Sequence, residues 1–325
     1  MKTILVTGAS GFLGSRIVKI LIARKYKVIG IDPRPSEVVD KNYQHINDVV
    51  SDESLSLIKY DISSIIHTAS VLPYGNRKSD FVKNNVGSAQ IIADFALKKD
   101  SFVVEVSSSS VYGKPLEIPV KPTTPTSPLD DYAFSKLKCE TIFQEKLAID
   151  KISIVRPRTI LGADRGGIFN ILFKLIKSNL PIPLPNSGNQ EIQFVNVLDL
   201  ARLCVYLAEN NISGVWPAAA PKVLPLREHL LELSNSTGYK IRYIPMNPKL
   251  FNIVGKLLFK IKLTDFSPWH FGAFPFDNYF STEWTPSDFE YEFDCAQTFR
   301  HTWESFYGSS DFAKSNKISF GKVLK

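Results

Sequence analysis

Tyr132 and Lys136 stand four residues apart at the start of a segment with helical spacing, so a helix presents both side chains on one face. An unperturbed tyrosine titrates near a pKa of about 10 and exchanges protons poorly at neutral pH. A neighbouring ammonium favours the phenolate and draws that value down, which makes Tyr132 a candidate acid–base group and Lys136 its partner. Upstream, Ser107, Ser108, Ser109 and Ser110 close a β-branched run. A hydroxyl at a strand end can hydrogen-bond a substrate oxygen whose charge changes during hydride transfer.

A second constellation opens the chain. The apolar run Ile4–Val6 leads into Thr7-Gly8-Ala9-Ser10-Gly11-Phe12-Leu13-Gly14, and apolar residues at helical spacing follow. Gly8 allows a tight turn, Gly11 lets the backbone approach a pyrophosphate, and Gly14 packs helix against strand. The helix start supplies free N–H groups and the positive end of a dipole, so Ser10, Phe12 and Leu13 join the glycines as candidate phosphate contacts. Asp32 lies 18 residues past Gly14, at the end of the next strand-like run. An acid there accepts hydrogen bonds from an adenosine ribose, which points to NAD. Arg34, two residues on, could take a 2′-phosphate and keeps NADP as the less favoured reading.

The elements that position these groups alternate. Strand-like runs at Lys27–Asp32, Tyr43–Ile46, Ser63–Ala69, Ser101–Ser108 and Lys151–Pro157 are separated by helical stretches, notably Asp80–Lys98 and Tyr132–Leu147. Strand and helix in alternation imply parallel crossovers, hence an α/β fold with a doubly wound parallel Rossmann sheet. After about residue 160 prolines and aromatics thicken, as a smaller C-terminal substrate-binding domain would require. The expected division is 1–165 for the cofactor, with 190–212 returning to it; 166–189 and 213–310 for the substrate; and 311–325 as a basic tail.

Composition sets the outer bounds. The 325 residues are 44% hydrophobic and 22% charged, which excludes a disordered or fibrous protein. No apolar run reaches the roughly 18 residues of a membrane span, and the start lacks the pattern of a signal peptide. Cys139, Cys204 and Cys295 lie far apart without a CxxC, which argues against a disulfide scaffold or zinc knuckle and fits a cytoplasmic protein. The net charge of +7 is spread along the chain, so neither a nucleic acid nor a membrane is expected as a partner. No Cys/His pairing or HExxH-like helix suggests a metal, and His67 with the other histidines reads as structural.

The Gly-x-x-Gly-x-x-Gly spacing, followed by SSSSVYG and YAFSK, resembles the extended short-chain dehydrogenase/reductase superfamily, and within it the NAD-dependent epimerases and dehydratases. The resemblance implies further roles. Asp48 and Val49 match the turn that holds the adenine; Thr68, Ala69 and Ser70 match the segment lining the nicotinamide side; Asn84 matches a helix asparagine; Pro157 would sit beside the nicotinamide carboxamide. Lys136 would also hold the nicotinamide ribose. The catalytic serine maps onto Ser108, with Ser107 and Ser109 as alternatives. Where the family's sugar dehydratases carry Thr-Asp-Glu this chain has Ser108-Ser109-Ser110, so dehydration is disfavoured. The family's asparagine is replaced by Thr159, and the arginine near Glu191–Ile192 is absent; Arg158, Arg165 and Lys174 could supply charge instead. The loop Gly162–Asn170 and the stretch Trp269–Phe276 are expected to wall the pocket, although packing suits Phe271, Phe274 and Phe276 better. The implied activity is NAD-dependent epimerisation of a sugar, in particular a nucleotide sugar, by transient hydride transfer. An NAD(P)-dependent ketoreductase or dehydrogenase is the alternative, and a non-catalytic NAD-binding protein the minor one. The flanking helices Asp80–Lys98 and Tyr132–Leu147 permit a homodimer.

Overall fold

The computed structural model describes residues 2–72, 78–163, 165, 169–261, 271–272 and 274–308. The expected tail 311–325, Trp269 and parts of the loop Gly162–Asn170 lie outside the described residues. The first half runs β1 (Thr3–Thr7), α1 (Gly14–Ala23), β2 (Lys27–Ile31), β3 (Tyr43–Ile46), α2 (Asp52–Ser56) and β4 (Ser64–His67). A single turn α3 (Lys78–Asp80) continues through a π-helical stretch, Phe81–Val86, into α4 (Gly87–Lys99), followed by β5 (Phe102–Val106), α5 (Asp131–Lys146) and β6 (Ile152–Pro157). The second half holds β7 (Thr159–Leu161), α6 (Phe169–Lys177), β8 (Ile182–Pro185), β9 (Glu191–Ile192), β10 (Phe194–Asn196), α7 (Val197–Asn210) and β11 (Gly214–Ala218). It ends with β12 (Leu224–Pro225), α8 (Leu226–Thr237), β13 (Tyr243–Met246), α9 (Pro248–Lys260) and α10 (Cys295–Tyr307).

Seven strands form one parallel sheet in the order β11-β6-β5-β4-β1-β2-β3. Every residue of β1, β4, β5 and β6 is buried, as their near-continuous apolar runs require for strands covered on both faces. On one face α1 and α7 pack through Ile17, Ile20, Leu21, Leu200 and Leu203. Each such side chain contributes about 1.5–3 kcal/mol on burial. On the other face α4 and α5 bury Ile92, Ala96, Cys139 and Phe143. The chain leaves β1 toward β2 and β3, then returns to place β4 on the opposite side of β1. That reversal opens a crevice at the carboxyl ends of the strands, where Thr7, Ile31 and His67 lie in register.

A third core joins α6, α8 and α10 around Phe173, Phe194, Phe299 and Trp303. The segment returning to the sheet is longer than expected. Residues 190–212 were to be the returning piece, but the sheet also takes Gly214–Ala218, which pairs with β6 from Ser153 to Pro157. Glycine and proline in GVWPA mask its strand character, and an edge position tolerates both.

Candidate active site

The turn after β1 is closed by backbone. Gly8 has φ +68°, and a Cβ there would stand 2.8 Å from Thr68 Oγ1. A Cβ on Gly14 would meet Gly8 O at 2.1 Å, so only glycine allows the chain to fold back on itself here. Gly11 N donates to Gly8 O at 2.9 Å, while the amides of Phe12 and Leu13 have no hydrogen-bond partner among the described residues. Bare backbone and unspent donors at a helix start fit a pyrophosphate.

Asp32 is almost wholly buried, and its carboxylate is crowded. Arg34 donates from its backbone N (2.9 Å) and Nε (3.0 Å) to Oδ1 and from Nη2 (3.0 Å) to Oδ2. Ser10 N donates to Oδ2 at 3.2 Å. Burial alone would raise this carboxyl, but Arg34 outweighs it and holds the group below its ordinary range. Asp32 was expected to be free for the ribose; instead a ribose hydroxyl must share it with Arg34, whose side chain is exposed enough to move.

Asp130 caps α5 by accepting from Ala133 N at 2.8 Å, which places Tyr132 in the first turn and Lys136 one turn later. Tyr132 is half-buried with its ring edge-on to Phe81 at 5.9 Å. Lys136 is buried, and its Nζ donates to Glu105 Oε1 at 2.7 Å. Burial disfavours the ammonium, but the Glu105 carboxylate more than compensates, so the Lys136 pKa rises; Tyr132 adds in the same direction. Glu105 projects from β5 with its other oxygen buried and unpartnered. Beside the pair, His67 is buried with Nδ1 2.7 Å from Thr7 Oγ1 and Nε2 3.4 Å from Ser88 Oγ. Burial and then the nearby Lys136 charge push His67 down to about 3, so it is a neutral structural imidazole.

The four serines separate by partner. Ser107 Oγ bonds Glu140, which in turn accepts from Arg156 Nε (3.0 Å) and Nη2 (2.6 Å). Ser109 Oγ accepts from Arg158 Nη1 at 3.4 Å. Ser108 Oγ accepts from Ser110 N (3.1 Å) and Ser110 Oγ (2.9 Å). Two donors into Ser108 leave its own proton directed away from them.

A cavity of about 560 Å³ runs over the turn and along the carboxyl ends of the strands. Its wall is formed by Gly8, Gly11, Phe12, Leu13, Gly14 and Asp32, by Asp48 and Val49, by Thr68, Ala69, Ser70 and Asn84, and by Tyr132 and Lys136. Three expected contacts fall elsewhere. Ser10 faces a neighbouring cavity, because its amide turns inward to Asp32. Ser108 stands one residue beyond Ser107, which does line the cavity, and Pro157 is buried at the end of β6. Sequence reasoning missed Glu105, Lys83 and Val71, of which the last two border the cavity, and held Ser107, which also borders it, only as an alternative to Ser108. It also took Asn84 from the motif and passed over the adjacent Asn85. Asn84 donates to Asp80 O at 2.8 Å, whereas the buried Asn85 binds Val71 N (2.8 Å) and Ser135 Oγ (3.1 Å) and fixes the cavity wall.

On the expected substrate side, Arg165 lies at the cavity wall with its guanidinium 5.2 Å from the Phe12 ring centre. Lys174 and Thr159 are exposed. Phe271 and Phe274 pack against Phe251, while Phe276 is exposed. Among the described residues there is no cluster of three metal-ligating side chains, and no helix is long and apolar enough to cross a membrane.

Residues 4–217 match the model of the NAD dependent epimerase/dehydratase family. The chain is 32% identical over 279 residues to the uncharacterized protein y4nG of Sinorhizobium fredii, covering 83% of this chain and 69% of that one. It is 25% identical over 273 residues to a UDP-glucose 4-epimerase of Halalkalibacterium halodurans, covering 73% and 81% respectively. In fold it is similar to UDP-glucuronic acid 4-epimerase from Bacillus cereus in complex with NAD, with a TM-score of 0.72 at 20% identity over 96% of this chain and 99% of the other.

Proposed function

The chain is an NAD-using enzyme of the NAD dependent epimerase/dehydratase family, and on that premise we propose that it inverts carbon 4 of a nucleotide-linked hexose. The observation that carries the reading is one cavity lined both by the glycine turn with Asp32 and by Tyr132 with Lys136. Relatives named as UDP-glucose 4-epimerases support the substrate class. Gly8, Gly11, Gly14, Phe12, Leu13 and Asp32 would hold the dinucleotide, which, when bound, supplies a reversible hydride acceptor.

Tyr132 takes the hydroxyl proton as the substrate carbon loses hydride and returns it after the keto sugar has turned over. Lys136, charged and held by Glu105, favours the phenolate of Tyr132. Ser108, whose hydroxyl hydrogen is not used by Ser110, would donate a hydrogen bond to the substrate oxygen while that oxygen gains carbonyl character. Proton and hydride both return, so no redox equivalent is consumed.

Residues 1–165, with a return running through Ala218, would form the cofactor half, and the remainder up to about residue 310 the substrate half. Free, buried cysteines support a reducing cytosol, which cell fractionation would check. The outer faces of α4 and α5 expose Leu97 and Phe134 and would join two copies; light scattering from a persistent monomer would remove that claim.

The test uses freshly purified protein. Epimerisation of a UDP-hexose without added cofactor is expected, and Tyr132→Phe should keep NAD bound while losing about 10²–10⁴-fold in kcat. Steady consumption of NADH with a keto substrate would instead establish a reductase.

A further inference from the structure

Helix α9 is apolar on two opposite faces. Aromatic contacts fix the inner one: the Phe251 ring centre lies 5.7 Å from that of Phe271 and 5.8 Å from that of Phe274. Gly255 is buried against the Phe271 ring, so close that a Cβ there would run into it. The helix therefore cannot roll to bury its other side. On that side Leu250, Ile253, Val254 and Leu257, with Ile261 just past the helix end, keep the i, i+3, i+4, i+7, i+11 spacing of one stripe. All but Val254 are half exposed or more. A solvated helix carries polar groups at such positions, whereas this one holds an apolar band in water.

The charge stands beside the band. Lys249, Lys256 and Lys260 are exposed and recur at i, i+7 and i+11, so they edge one flank of it. No acid near them in the chain answers them: residues 233–264 include six Lys and Arg and no Asp or Glu. A net charge of +7 is thin when averaged over 325 residues, but this segment concentrates it.

An apolar band edged by ammonium groups matches a boundary with hydrocarbon below and anions above. Lysine stems lie along the apolar surface and carry their charge out to the headgroups. At 13 residues α9 measures about 20 Å, short of the roughly 30 Å hydrocarbon core, so it fits along a bilayer and not across one. A second copy of the chain is a poorer match, because α9 holds no acid to meet another α9's lysines.

We propose that α9 docks the protein on the surface of an anionic lipid bilayer. Leu250, Ile253, Leu257 and Ile261 enter the interface, while Lys249, Lys256 and Lys260 stand among the headgroups. None of these residues lines the cavity over the glycine turn, so attachment demands no change at the site.

The test sediments the full-length protein with vesicles of phosphatidylcholine alone and with vesicles of equal parts phosphatidylcholine and phosphatidylglycerol. Wild type should bind the anionic vesicles at least about tenfold more tightly, and salt at about 0.5 M should release most of it. Each lysine beside an anionic surface is worth about fivefold in partitioning, so Lys249→Gln, Lys256→Gln and Lys260→Gln together should weaken binding on the order of a hundredfold. Leu250→Ser with Leu257→Ser should abolish it. These positions are exposed, and an unchanged melting temperature checks that the variants fold. Wild type that ignores both vesicles, or binds both equally, would overturn the proposal without any variant. So would a dimer in solution that Leu250→Ser with Leu257→Ser splits into monomers, since the face would then belong to a second copy. Turnover is not part of the readout, so either result leaves the proposed reaction to its own test.

Discussion

Glu105→Gln removes one charge from a buried pair and keeps its shape. In the native protein Lys136 Nζ is 2.7 Å from Glu105 Oε1, and both side chains are shut off from water, at 3% and 0% exposure. Leaving the ammonium without its counter-charge costs about 3–5 kcal/mol. For a chain of this size roughly 2–3 °C of melting temperature goes with each kcal/mol, so the variant should melt about 6–15 °C lower. The sign of the lysine's response follows from its surroundings. Glu105 raises Lys136 and burial lowers it, so without Glu105 the burial effect wins and Lys136 sheds its proton at lower pH. The basic limb of activity should move down with it. Lys136→Met in the Glu105→Gln background removes the stranded charge and should recover at least half of the lost stability. The assay is a double-mutant cycle read by urea unfolding, checked for constant slope. A single variant within about 1 kcal/mol of wild type, or a coupling near zero, would show that the pair does not hold the site together.

Two further perturbations address the turn and the imidazole. Gly14→Ala should weaken NAD by at least about tenfold and cost about 1–3 kcal/mol, because the new methyl meets Gly8 O at 2.1 Å; calorimetry giving an affinity within threefold of wild type would refute the clash. His67, held near 3 in the fold against 6.5 in the unfolded chain, leaves stability untouched above about pH 6.5. Below that the unfolded chain binds the proton first, so about 2 kcal/mol should be lost between pH 6.5 and 5, and His67→Gln should flatten that part of the curve.

What could be read from the sequence was what lies close along the chain. Glycine spacing, the Tyr132–Lys136 interval and the apolar strands are local patterns, and each element forms where its pattern stands. The pairings that shape the site cross long intervals. Glu105 reads as an interruption in FVVEV until α5 lays Lys136 against it from 31 residues away. Arg34 looks like a phosphate receptor until its side chain folds back onto Asp32. Asn84 and Asn85 differ only in which side of the π-helical stretch faces inward, and a motif cannot report that rotation. Arg158 stood beside Arg165 and Lys174 as a cation that could supply charge; that no carboxylate among the described residues pairs with it is a property of the packed molecule.

α5 carries a cation and an anion one turn apart, Lys136 and then Glu140, and each meets its opposite on a different strand, Glu105 of β5 and Arg156 of β6. Slide the helix forward by one turn, about 5.4 Å, and Lys136 comes to rest against Arg156; slide it back and Glu140 comes to rest against Glu105. Either displacement sets like charges together, at about 4 kcal/mol for a 4 Å separation under an effective dielectric of 20. The two pairs act as a key with teeth of opposite sign, which admits the helix at a single longitudinal setting. Tyr132 rides on that helix one turn ahead of Lys136, so the height of its hydroxyl above the strand ends is set by two ion pairs internal to the protein.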